Sequence, residues 1–172
     1  MSVSQFTLTP PEMGGALNVS ETRPPEICAR IEIHAEAQRI LYALSTPEYL
    51  EAWLHLPGVE RFECHSELRS FDRFRLDLFS SSKRLPSIYG SCQLSKPNKV
   101  TYHWDQTLRG GEARALVDIQ ILGGAVRCSV MLAHDGIGSD SERHLHSMMW
   151  HHSLIKLRSL MERVNSCDAH TT

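Results

Sequence analysis

Four histidines, two methionines and a tryptophan fall within one stretch, RHLHSMMWHHSLIKL, running from Arg143 to Leu157. Imidazole can hold a metal or carry a proton, so the spacing decides what chemistry is open to this segment. On a helix, His144 and His151 share a face but stand about 10 Å apart along the axis, too far to meet on one ion. His146 and His152 point about 120° apart, His151 and His152 about 100° apart, and no pair has the i, i+4 spacing of a helical metal pair. The expectation is no metal and no cofactor, with the histidines lying on a partly exposed helix. His146 is the exception, because it sits about 40° from the apolar stripe and one turn before Trp150. It is either a core-edge histidine or a polar group looking into a pocket.

The other constellations are weaker. RGGE and LGG lie between strand patterns and read as hairpin turns, not phosphate cradles. GIGSD precedes a helix, but the end of a strand followed by a serine cap accounts for it. No G-x-S-x-G elbow is present. Arg73, Arg75, Lys83 and Arg84 are interrupted by Asp72 and Asp77, the pattern of a solvated strand face.

Eighteen basic and twenty acidic side chains leave a formal charge of -2, so no basic field draws nucleic acid. The 172 residues suit one domain with a sizeable core. No apolar run approaches the roughly 20 residues of a membrane span, and the first residues lack the charged and apolar regions of a secretion signal. A cytoplasmic location is expected. The five cysteines, Cys28, Cys64, Cys92, Cys128 and Cys167, form no C-x-x-C pair and read as free thiols.

These features need a scaffold. Residues 1–25 are rich in proline and glycine and read as an N-terminal extension, 26–166 as the domain and 167–172 as a tail. Ile27, Ala29, Ile31 and Ile33 alternate as in a strand with one buried face. Ala37, Ile40, Leu41 and Leu44 then recur at helical spacing. A second short helix starts at Thr46 and Pro47, carries Leu50, Trp53 and Leu54 on its apolar side, and ends at Pro57 and Gly58.

From Val59 to His134 the period is two, in five or six segments separated by SSSK, KPNK, RGGE and LGG. The dry face collects Phe74, Leu76, Leu78; Ile88, Gly90, Cys92, Leu94; Val100, Tyr102, Trp104; Ala115, Val117, Ile119, Ile121; and Val126, Cys128, Val130, Leu132. The wet face collects Arg73, Arg75, Asp77, Gln93, Thr101, His103, Asp105, Asp118, Gln120 and Arg127. Ser139 and Glu142 form a capping box for a long helix whose stripe is Trp150, Leu154, Leu157, Met161 and Val164. The only large apolar surface on which this helix can lie is the dry face of the sheet.

Three passages together resemble the START-related (SRPBCC) helix-grip superfamily, in the branch of activators of the heat-shock protein 90 ATPase: IEIHAEAQRILYALSTPEYLEAWL, IYGSCQLSKPNKVTYHW and the Trp150 helix. The chain departs from the branch at LRSFDRF, where many members have a Gly-Gly turn, and at Met149, where they have glycine before the tryptophan. The resemblance implies an α+β fold in which a curved antiparallel sheet of about six to seven strands grips a long C-terminal helix, with two short helices after the first strand. It also implies an apolar cavity between sheet and helix, and little about reaction.

Candidate ligand-binding residues are Trp53, Tyr102, Trp104, Val117, Ile119, Val130, His146, Trp150, Leu154 and Leu157, each of which could equally be core. The expected function is binding of an apolar small molecule or lipid without catalysis. The alternatives are a cyclase- or hydratase-like enzyme using Tyr102 or His146 in the same cavity, and a chaperone-associated interaction module. Met148, His152 and Ile155 cluster on the opposite side of the helix and are either scattered surface residues or the contact of a homodimer.

Overall fold

The computed structural model describes residues 26–66, 73–81, 83–94, 97–105 and 115–168, with 164–168 described in their backbone alone. The expected extension (1–25), the RGGE turn, Asp72 and the side chains of Val164 and Cys167 lie outside the described residues.

The strand expected from the alternating isoleucines is β1 (Ile27–Ile33). Two helices follow, α1 (Ala37–Ser45) and α2 (Pro47–Trp53), and α2 has Thr46 at its N-cap and Pro47 in its first turn. The remaining strands are β2 (Arg61–Ser66), β3 (Arg73–Ser80), the two-residue β4 (Lys83–Arg84), β5 (Ile88–Leu94), β6 (Lys99–Trp104), β7 (Ala115–Gly123) and β8 (Cys128–Asp135). The chain closes with α3 (Asp140–Asp168), which runs past residue 166, the expected end of the domain. All strands join one antiparallel sheet in the order β1-β8-β7-β6-β5-β3-β2, with β4 paired to β3. This is the expected α+β architecture.

Because β1 and β2 lie at opposite edges, α1 and α2 must carry the chain across the sheet, and they do so on its apolar side. The Trp53 Nε1–H donates to the Ala43 carbonyl at 3.0 Å, and the Tyr102 hydroxyl donates to the Leu44 carbonyl. Both rings are thereby fixed between the helices and the sheet.

The start of α3 is held at several points. Ser139 Oγ accepts from the Glu142 amide at 3.3 Å, completing one half of the expected capping box. Glu26 accepts from the Ile137 amide at 2.7 Å, and its own amide donates to Asp135 at 3.1 Å, pinning the β8–α3 link to the first strand. Further along, Ser153 Oγ accepts from the His55 amide at 2.9 Å and donates to the Met149 carbonyl at 2.7 Å, tying α2 to α3.

The dry face is as expected along the strand centres, but Leu94 and Val126 are exposed, because both lie where a strand gives way to a turn and none of the described residues covers them. Asp77 and Thr101, assigned to the wet face, are buried at 5% and 8% exposure. They do point outward, but neighbouring long side chains cover them. Thr101 Oγ1 donates to Asp118 at 2.6 Å beside Lys99, and Asp77 lies under Arg75 and Arg84.

Gly90 has a packing reason. A Cβ there would come within 2.5 Å of the Phe74 ring and 2.4 Å of the His103 carbonyl oxygen, so only glycine lets Phe74 pack this closely on β5. Gly123 ends β7 at φ 137°, a conformation that side chains disfavour, which confirms the LGG turn.

Candidate functional site

The dry face and α3 meet around Trp150, which is fully buried. Its indole Nε1–H donates to His134 Nδ1 at 2.9 Å. His134 follows Val130 and Leu132 at period two on β8 and therefore points inward with them. His146, one turn before Trp150 on α3, meets His134 edge to face with ring centres 4.9 Å apart.

Burial pushes the His134 imidazole down to about 3, with neighbouring His146 adding to the effect. Burial lowers His146 as well, opposed by Glu142. Both rings are therefore neutral near pH 7. Since Nδ1 of His134 accepts the indole proton, the one ring proton of the neutral form sits on Nε2.

A narrow cleft with only about 10 Å³ of free space lies at this point, lined by Leu56, Ile88, Trp104, Ala115, His134, His146 and Met149. Little more than one water-sized sphere fits in its unfilled space. Among its walls, Trp104 Nε1, His134 Nε2 and His146 Nδ1 are buried and have no hydrogen-bond partner among the described residues. A buried polar group left in that state costs about 1–3 kcal/mol. Three of them around one cleft is more than packing requires.

The sequence-selected residues divide here. Trp104 and His146 line the cleft. Trp150 stands behind it and orients His134. Trp53, Tyr102, Val117, Ile119, Val130, Leu154 and Leu157 are packed in the continuous core that surrounds it. Tyr102 is tied to Leu44, and burial holds its hydroxyl well above its ordinary range. It has no free hydroxyl to offer as an acid or base.

Leu56, Ile88, Ala115, His134 and Met149 line the cleft without having been selected. Ile88 and Ala115 were on the dry face by parity, and the β8 alternation carried two residues further would have found His134. Met149 lies about 100° around the helix from Trp150, outside the narrow stripe, because the buried face of α3 is broader than that stripe.

Elsewhere, Met148 and Ile155 are exposed at 47% and 36%. His152 is exposed beside them and meets the His55 ring edge to face at 5.1 Å. Among the described residues no three His, Cys, Asp or Glu side chains come together as a metal site, and no helix is long and apolar enough to cross a membrane. Among the described residues, Cys28, Cys64 and Cys128 form no disulfide.

Comparison with solved structures places this architecture. A START superfamily protein from Mycobacterium smegmatis is similar over 80% of this chain and 97% of its own, with a TM-score of 0.59 at 17% identity. The fold is START-related. The Aha1 dimer from Colwellia psychrerythraea matches the same helix-grip fold over 79% of this chain and 95% of its own, with a TM-score of 0.56 at 15% identity. The AHSA1-like protein from Aeromonas hydrophila does so over 81% and 94%, with a TM-score of 0.53 at 15% identity. No family model matches the sequence, and no curated protein does. At these identities the likeness concerns the helix-grip fold and not its use.

Proposed function

We propose that the protein binds an apolar small molecule or lipid in the cleft between the sheet and α3, without catalysing a reaction on it. The observation that carries this reading is the cleft itself: largely apolar walls with three unpartnered polar atoms among them. Binding sites for small molecules have this make-up, many apolar contacts and a few polar groups that fix orientation. The free space in the cleft, about 10 Å³, is far below that of such sites, so any ligand larger than a water molecule must displace side chains. Met149, with its flexible thioether, is the residue suited to move. Catalysis is disfavoured because Tyr102 is tied to the backbone and, among the described residues, no nucleophile or carboxylate lines the cleft.

Native mass spectrometry of the purified protein, together with a Nile red titration, tests the reading. The expected result is a noncovalent adduct released by organic solvent, or saturable dye binding that Ala115→Leu abolishes by filling the cleft while the circular dichroism spectrum is kept. A protein with neither adduct nor dye binding would overturn it.

We also propose that a second copy of the chain meets α3 through Met148, His152 and Ile155. The exposure of the two apolar side chains supports this, as does the description of one structural neighbour as a dimer.

A further inference from the structure

We propose that Trp104 and His134 form a two-donor anchor for the oxygen of a neutral carbonyl group, so that the ligand is an apolar ketone, aldehyde, ester or amide, not a hydrocarbon or a carboxylate. This rests on the apolar-ligand reading above and narrows it to a chemical class.

The two donors follow from the bonding. An indole Nε1–H can only donate, and that of Trp104 is buried and unpartnered. His134 has its Nδ1 committed as acceptor of the Trp150 proton at 2.9 Å, which fixes the other tautomeric proton on Nε2. That Nε2–H is also unpartnered, on a residue only 1% exposed. Both groups line the same cleft. Two buried donors therefore have no acceptor among the described residues, and Trp150 locks one of them in the donating form.

An acceptor with two lone pairs is the complement, and a carbonyl oxygen has two. The third unpartnered atom, His146 Nδ1, can donate or accept according to its tautomer, so it tolerates the carbonyl and sets no further requirement. A carboxylate is disfavoured by charge. Among the described residues no lysine or arginine lines the cleft, and burial keeps both imidazoles neutral, so an anion would lose its hydration with no cation among them to replace it. A hydrocarbon gains the apolar contacts but leaves both donors unsatisfied.

Three probes of one skeleton separate these cases: acetophenone, ethylbenzene and benzoate, titrated into the full chain at neutral pH and followed by ¹⁵N-resolved NMR. Three tryptophans give three indole N–H signals. Those of Trp53 and Trp150 are already bonded, and Trp104→Phe identifies the third. Acetophenone is expected to bind about tenfold more tightly than ethylbenzene and to move the Trp104 signal more than the other two. Benzoate is expected to bind more weakly than acetophenone. Trp104→Phe should bring acetophenone down to the ethylbenzene level and leave ethylbenzene unchanged.

Equal binding of acetophenone and ethylbenzene, with an unmoved Trp104 signal, would remove the anchor while leaving an apolar site. Tighter binding of benzoate would overturn the neutral-carbonyl assignment. Failure of all three probes to bind would overturn both the anchor and the apolar-ligand reading. The wild-type comparison and the indole shift decide the matter even if the phenylalanine variant does not fold.

Discussion

On the outer face of the sheet, Asp77 is surrounded by partners: Ser87 Oγ at 2.7 Å, Arg84 Nη2 at 2.9 Å, Arg75 Nε at 3.2 Å and His65 Nε2 at 3.3 Å. On the inner face, His134, His146 and Trp104 each keep a buried polar atom with none among the described residues. Both clusters are buried, and they differ in who buries them. Asp77 is covered by long polar side chains that bring their own donors, led by the Ser87 hydroxyl and then the two guanidinium groups, and its pKa falls to about 2. The histidines are covered by apolar side chains and by one another, so burial drives them neutral. Saturation of the outer group suits a purely structural role, whereas incompleteness of the inner ones leaves capacity for something else.

The largest expected effect falls on the inner cluster. Trp150→Ala removes a fully buried ring and the only proton donated to His134 Nδ1, and it should cost about 3–5 kcal/mol in urea denaturation. A loss below about 1 kcal/mol would mean that α3 is not gripped through this ring.

Acid separates the two clusters. His134 has a folded-state pKa of about 3 against an ordinary 6.5, so the unfolded chain takes up its proton first as pH falls. Its contribution is complete above about pH 6.5 and is lost on the way down to pH 3, the loss reaching about 2.5 kcal/mol by pH 4.5. His134→Gln, which keeps an acceptor for Trp150 but does not titrate, should flatten this part of a stability profile measured by thermal melts. An unchanged slope would argue that His134 is protonated in the folded protein.

Asp77 acts lower on the scale. With its pKa depressed from 3.8 to about 2, its contribution is present above about pH 4 and is lost between there and pH 2. Asp77→Asn should remove that lower limb and cost about 1–2 kcal/mol at pH 7, a modest figure because the arginines reach it from solvent. If the variant lost nothing, the outer cluster would be a surface arrangement without energetic consequence.

The smallest effect on stability is expected at the third polar–apolar boundary, the outward side of α3. Met148→Glu should change stability by less than about 0.5 kcal/mol, because the side chain is exposed. It should nevertheless convert a dimer to a monomer in light scattering at pH 7.5. A wild type that is already monomeric, or a dimer indifferent to the glutamate, would dissociate this face from self-assembly.

Much of the architecture was determined by the sequence itself. Alternation from Phe74 through Leu132 set the dry face because side chains on a strand must alternate, and the Ser139–Glu142 pair together with the Trp150, Leu154, Leu157, Met161 spacing set the last helix and its buried side. That the helix histidines share no i, i+4 direction was likewise read from spacing alone. These are short-range consequences of backbone geometry. Tertiary structure decided what long-range contact alone can specify. The partner of Trp150 is His134, sixteen positions away on another element, and only their approach fixes which nitrogen of His134 carries the proton. Asp77 has outward parity, yet it is buried because the β4 hairpin and Ser87 fold back over it. Which of the inward side chains line the cleft and which are simply core was likewise decided in three dimensions, since periodicity gives the face a residue points to but not what meets it there.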